Sequence, residues 1–433
     1  MKRYIFAFAL FFMFARVHSQ EQPVLKLSPE QFEALFLKQN LLLIAEKMNI
    51  DVADAAIIQA RLWENPELTV SSVNLWSTGN QRDGEAELIP PLFGSFARNT
   101  QFTVELSQLI QTANKRAKLV RMETVAKDIA MREFEDVLRG LKAELRKTVF
   151  DAAYIQSYLK ILQTQSKALE QLINAYRKQV LEGNIARNEL LRLQSSLLEI
   201  ENEMNESSIT INEFQKTLKA LVNADPLVII EFDMDSNPAH LPVPSDLSLS
   251  DLLNKSLDYR PDIQSRQLAI QYYEKSFAYE KALRIPDLTI NANYDRFGGV
   301  WRDFLGVGVS IGLPLLNRNR GNIKAARLLT DQSRYLEEQQ VKLAQNEIVE
   351  AYHNYDQAYR YFIKINDDDF LAELDKMLDI YVKNLQNRNI SMLEFTDFMD
   401  TFRTSKRIVL ESEKNVKTCF EDLQYVTATE LVN

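Results

Sequence analysis

Tyr176-Arg-Lys-Gln-Val-Leu-Glu-Gly183-Asn184-Ile185-Ala-Arg-Asn-Glu189-Leu-Leu returns 205 residues later as Tyr381-Val-Lys-Asn-Leu-Gln-Asn-Arg388-Asn389-Ile390-Ser-Met-Leu-Glu394-Phe-Thr, with Tyr, Asn-Ile and Glu in register. Each copy lies between two long helical patterns, so each reads as the turn of a helical hairpin. A second pair supports a tandem duplication. Leu27-Ser28 followed by Asn65-Pro66-Glu67-Leu68-Thr69 recurs as Leu247-Ser248 followed by Ile285-Pro286-Asp287-Leu288-Thr289, offset by 220. Each half therefore runs helix, Pro-acid-Leu-Thr, short strands, long helix, turn, long helix.

The prolines outline those helices. All 12 fall within 23–91, 226–261, 286 and 314, leaving 92–225 and 315–433 without one. An interior proline costs a helix roughly 3 kcal/mol, so these gaps permit long helices. Apolar and small residues then alternate at spacings of 3 and 4 from Leu138 through Leu145, Ala152, Leu162, Leu169 and Tyr176 to Val180, and again from Leu190 to Leu221. The second half repeats this from Ala344 to Ile365 and from Met392 to Leu423. These are coiled-coil seams. A helix from about 115 to 180 would extend roughly 100 Å at 1.5 Å per residue, a rod for which a compact globule has no use.

The strand candidates alternate with period two. Val307, Val309, Ile311 and Leu313 alternate with small residues, Leu288, Ile290, Ala292 and Tyr294 with polar ones, and Phe102, Val104 and Leu106 with Thr103, Glu105 and Ser107. Leu68 to Leu75 is a looser fourth case. One face is apolar and the other small or polar. With Trp76, Phe93, Phe96, Trp301 and Phe304 near their ends, the segments fit a membrane barrel with aromatic girdles. An antiparallel sheet covered by helices fits the same alternation. Four strands cannot close a barrel alone, and lipid does not tolerate open edges, so the membrane reading requires oligomerisation.

Lys2 and Arg3, the apolar run Tyr4–Ala15 and Val17-His18-Ser19 before Gln20 have the pattern of a secretory signal peptide cleaved between Ser19 and Gln20. No cysteine stands at that point to carry a lipid. The only one, Cys419, excludes an internal disulfide and a cysteine metal cluster. The formal charge of −9 becomes −12 once Lys2, Arg3 and Arg16 are removed, which argues against a nucleic-acid partner. Beyond the signal, no apolar run approaches the ~18–20 residues of a spanning helix.

In this order the motifs carry a resemblance. Asn65-Pro-Glu-Leu-Thr69, Glu105-Leu-Ser-Gln108-Leu-Ile110-Gln-Thr112-Ala-Asn-Lys115-Arg116, Arg260-Pro261-Asp262-Ile263, Leu313-Pro314-Leu-Leu316-Asn317-Arg318 and the two turns together resemble the TolC-type outer-membrane efflux proteins, particularly their heavy-metal-efflux branch. The resemblance implies a mainly α fold with a membrane β-barrel. In a homotrimer, four strands per protomer would share a 12-stranded barrel, and the coiled-coil hairpins would form an α-barrel across the periplasm. It implies outer-membrane lipid around the strands, and a periplasmic adaptor and an inner-membrane pump, of the resistance-nodulation-division type, as partners of a passive exit duct. The expected organisation is signal 1–19; first repeat 20–230, with strands about 68–75 and 100–107 and a hairpin about 115–224; linker 231–246; and second repeat 247–433, with strands about 288–295 and 306–313 and a hairpin about 320–425.

By the same resemblance, Leu181, Gly183, Asn184, Ile185, Arg388, Asn389 and Ile390 would contact the adaptor. Glu189, Glu394, Asp397 and Asp400 would line a periplasmic gate that three-fold symmetry turns into rings. A solvated helix face explains the same carboxylates. Where the family has glycine the second turn has Arg388, so that turn should adopt a conformation a non-glycine residue tolerates.

Enzyme-like patterns lack support. Gly308-Val-Ser310-Ile-Gly312 matches a nucleophile elbow but runs on as a strand. Asp367-Asp368-Asp369 sits in a helical pattern, and His240 and His353 have no second ligand at metal spacing. No catalytic, cofactor or metal site is expected. A periplasmic adaptor and a coiled-coil scaffold without a pore remain as rival readings; the first would carry one hairpin between β-rich domains, and the second leaves the strands unexplained.

Overall fold

The computed structural model describes residues 24–74, 101–232, 241–296, 303–366 and 368–431. The signal segment with Ser19 and Gln20, His240, and Trp76, Phe93, Phe96 and Trp301 lie outside them, as do the side chains of 367–369. The elements are β1 (Val24–Leu27), α1 (Pro29–Gln39), α2 (Leu41–Arg61), β2 (Glu67–Asn74), β3 (Gln101–Ile110), α3 (Lys115–Leu181), α4 (Arg187–Val222), β4 (Ile229–Phe232), α5 (Leu249–Tyr259), α6 (Pro261–Leu283), β5 (Leu288–Arg296), β6 (Asp303–Ile311), α7 (Arg320–Ile365), α8 (Asp368–Gln386) and α9 (Met392–Thr427). They divide into two compact units, the first built from described residues of 24–40, 145–232 and 368–414, the second from the rest.

In the first unit the seam predicted from spacing is the core. Leu162, Leu169, Ile173 and Tyr176 of α3 are buried with Leu193 and Ile200 of α4, Leu374, Leu378 and Leu385 of α8, and Phe395, Met399 and Phe402 of α9. Local chemistry sets the ends of α1. Ser28 caps it in a capping box with Gln31 and Pro29 occupies its first turn, satisfying donors that the helix leaves unpaired. β1 pairs in parallel with β4. The buried Gln215 side chain acts as a peptide mimic, donating to the Ile230 carbonyl at 2.6 Å and accepting from its amide at 3.0 Å.

The second unit contains the sheet, ordered β2-β3-β5-β6 and antiparallel throughout. Its helical core joins Ile348, Tyr355 and Phe362 of α7 to Val416, Phe420 and Leu423 of α9. Arg260, before Pro261 at the start of α6, is buried and forks onto Asp262 through Nε at 3.0 Å and Nη2 at 2.6 Å. Its Nη2 lies 2.7 Å from Glu347 Oε2 and its Nη1 donates to the Val426 carbonyl at 3.2 Å. The Arg-Pro-Asp motif is thus the clasp between α6, α7 and the end of α9.

The backbone records the duplication. Left-handed residues recur at the same offset of 205: Asn114 and Asn319 before the two long helices, Gly183 and Arg388 in the turns, Asn223 and Ala428 at the last helix ends. Two expectations need correction. The outgoing helix of the second hairpin is not continuous, because the helix of α7 stops at Asn366 before α8 begins. β6 spans 303–311 rather than 306–313: Pro314 has no N–H to offer a ladder, and the Leu315 amide turns back onto the Leu313 carbonyl at 2.9 Å. Ser310 sits within β6 opposite Thr289, which is extended strand and not a nucleophile elbow.

Candidate functional site: a two-faced sheet and two hairpin turns

Register assigns the paired sheet residues to faces. Across the four strands, Leu68–Leu106–Ala292–Val307 and Val70–Val104–Tyr294–Leu305 form continuous rows, flanked by Gln108–Ile290–Val309, with its one amide, and Ile110–Leu288–Ile311. This face is apolar and open: Leu305 is 77% and Val307 78% exposed. The opposite face carries Glu67–Ser107–Asn291–Gly308 and Thr69–Glu105–Asn293–Gly306. Asn291 Nδ2 donates to Glu105 Oε1 at 2.9 Å. Gly306 and Gly308 leave room for these amides, since an added Cβ would stand 2.4 Å from Asn293 Oδ1 or Asn291 Oδ1. A sheet in water hides its apolar face and solvates the polar one; here the apolar face is bare. Both edges, β2 and β6, lack a strand partner among the described residues.

Of the expected girdle residues, Phe304 alone lies among the described residues. Phe304 lies on the polar face with Gly306. On the apolar face an aromatic pair closes one end instead, Phe102 and Tyr294 with ring centroids 5.9 Å apart. Strand parity reveals this; aromatic content alone does not.

The two turns are superimposable in hydrogen bonding. Gly183 N donates to Val180 O at 3.1 Å and Asn184 N to Gln179 O at 2.8 Å; Arg388 N donates to Leu385 O at 3.1 Å and Asn389 N to Asn384 O at 2.8 Å. Both are Schellman ends, with φ +74° at Gly183 and +58° at Arg388. The second turn therefore keeps the left-handed conformation of the first, one that a non-glycine residue tolerates at a cost in strain. The arginine gains a compensating contact: its Nη2 donates to the Asn184 carbonyl at 2.7 Å, tying turn to turn. Leu181, Gly183, Asn184, Arg388 and Asn389 are exposed, whereas Ile185 and Ile390 turn inward and pack on the core.

The four candidate gate carboxylates have different surroundings. Glu394 belongs to a capping box: Ser391 N and Oγ donate to its Oε2 at 2.7 and 2.8 Å while its own amide donates to Ser391 Oγ at 3.2 Å. The backbone and hydroxyl hydrogen bonds from Ser391 hold its carboxyl below the usual range. The S-x-x-E pattern at the turn was the signal for this role, and Ala186 replaces the serine in the first copy. Asp400 pairs with Arg403 at 2.9 Å. Glu189, in the first turn of α4, is half-buried, and its charge, after burial, helps raise the Tyr176 hydroxyl pKa. Asp397 is exposed; among the described residues nothing engages its carboxylate. No group of three His, Cys, Asp or Glu converges among the described residues, and none of their helices is long and apolar enough to cross a membrane.

Residues 34–224 match the model of the family described as outer membrane efflux protein. The chain is similar to the cobalt-zinc-cadmium resistance protein CzcC of Cupriavidus metallidurans, 22% identical over 290 residues, which span 66% of this chain and 63% of that protein. Among solved structures, CusC superposes with a TM-score of 0.70 at 16% identity, covering 92% of each chain. The CmeC outer membrane channel of Campylobacter jejuni gives 0.73 at 14% identity, covering 92% of this chain and 85% of that one. The fold of this mainly helical chain is thus that of outer-membrane channels.

Proposed function

We propose that this protein is the outer-membrane exit duct of a tripartite efflux pump. The observation that carries the proposal is the sheet, apolar and bare on one face, polar on the other and open at both edges. Three copies closing twelve strands would leave no edge in lipid, place Glu67, Glu105 and Asn291 toward water, and continue into a helical conduit. The neighbours of this fold are channels rather than enzymes, and the chain acts without chemistry of its own. The exposed turns at Gly183–Asn184 and Arg388–Asn389 meet a periplasmic adaptor, which couples the duct to an inner-membrane pump.

The gate rests chiefly on Asp397, because Glu394 serves its own helix cap and Asp400 is paired within the protomer. Cargo is chosen by the pump. The name of the Cupriavidus relative makes tolerance of cobalt, zinc and cadmium the first phenotype to assay. Fractionation followed by planar-bilayer recording tests the proposal: the mature chain sediments with the outer membrane and conducts. A chain found wholly in the soluble fraction, or one inserting without conductance, refutes it.

A further inference from the structure

We infer that Arg320 and Glu67 form an ion pair between neighbouring copies of this chain, where β6 of one copy meets β2 of the next. The inference rests on the oligomeric reading above, and the internal duplication supplies its geometry. By the offset of 205, β3 and the start of α3 are equivalent to β6 and the start of α7; by that of 220, β2 is equivalent to β5. Within the chain the junction of one repeat with the next is visible. β3 pairs antiparallel with β5, and beside that ladder Lys115 Nζ lies 2.7 Å from Asp287 Oδ1, the lysine side chain only 5% exposed.

The equivalent positions at the two open edges are Arg320, following left-handed Asn319 as Lys115 follows left-handed Asn114, and Glu67, in the Pro-acid-Leu-Thr motif that also holds Asp287. Their charges have the same sense. Both residues are exposed, and among the described residues neither side chain has an ion pair or hydrogen bond. The apolar neighbours show the same vacancy. Leu68 is 65% and Leu315 69% exposed, whereas their equivalents Leu288 and Ile110 are half-buried at the inner junction. On the helix leading into β2, Val52 is 68% exposed while its equivalent Tyr272 is half-buried.

A second copy fits these edges because it brings the complementary one. β6 of one chain meets β2 of another antiparallel, as β3 meets β5, and the head-to-tail contact repeats until the ring closes. Arg320 then stands where Lys115 stands, and Glu67 where Asp287 stands.

The test uses the full mature protein in detergent with Cys419→Ser as background. Glu67→Cys combined with Arg320→Cys, treated with a short bifunctional thiol reagent, should give covalent two- and three-chain species on a denaturing gel, lost in either single-cysteine protein. Independently, Glu67→Arg or Arg320→Glu alone should lower the temperature at which the oligomer dissociates, and the two together should restore it. If the parent protein is oligomeric by light scattering but the cysteine pair links only within one chain, or the charge swap is no better than the single reversals, the inference is overturned while the oligomer stands. A parent protein that is monomeric overturns the oligomeric reading itself.

Discussion

Replacing Arg260 by alanine tests whether the Arg-Pro-Asp motif is a clasp. The guanidinium is 3% exposed and Asp262 16%. Its loss strips the fork from Asp262, leaving Gln340 Nε2 at 2.8 Å and Arg139 at 3.8 Å, and leaves the Val426 carbonyl without that donor. Removing one member of a buried pair costs about 3–5 kcal/mol; Glu347, 45% exposed, adds little to that. With an unfolding entropy near 2.1 cal/mol/K per residue, the loss corresponds to a fall of roughly 3–5 °C in Tm for a chain of this size. Circular dichroism at 222 nm in detergent reads it directly.

Acid gives a second readout. Burial raises the Asp262 carboxyl, but the hydrogen bond and charge of Arg260 outweigh burial and hold it below the ordinary value. A depressed native pKa contributes stability above the unfolded value, about 3.9 for aspartate, and that stability disappears as the pH falls through the lower native value. The gap between parent and Arg260→Ala should therefore narrow below about pH 4. A Tm change under about 1 °C at neutral pH, or a gap that does not narrow in acid, would refute the clasp.

Three further outcomes follow from the site. Gly183→Ala should destabilise the first turn by about 1 kcal/mol through its left-handed backbone alone, since a Cβ there meets nothing within 4 Å; Arg388→Gly relieves strain and loses the Asn184 contact, so the second turn should shift by under about 1 kcal/mol, both followed by local hydrogen exchange. Gly308→Val should push the Asn291 amide off Glu105 and reduce yield of folded oligomer, by about 1–3 kcal/mol of overpacking, with Gly312→Ala, where space is open, as the unaffected comparison. Asp397→Asn should raise conductance and weaken block by divalent cations in planar bilayers while Asp400→Asn changes both less; equal responses would show that the ion pair with Arg403 does not distinguish them.

Much of this protein was legible in one dimension. Heptad seams of the type Leu162-Leu169-Tyr176 and Tyr355-Phe362 read as buried because 3.6-residue periodicity is a property of the chain itself, and those residues are buried. Strand alternation gave the two faces for the same reason, with a period of two. The duplication at 205 residues placed both turns. The break at Asn366 was not visible, since no proline or glycine marks it. Nor was the direction in which Arg388 spends its side chain, because the Asn184 carbonyl lies 204 residues away in sequence. Which strand neighbours which was likewise undetermined: the alternation of β3 and β5 is compatible with several orders, and only the hydrogen-bonded register puts Leu106 beside Ala292 and leaves β2 and β6 as open edges. Local pattern records what each segment buries; the partner that covers it, and the edge left for another copy, are set by contacts between residues far apart in the chain.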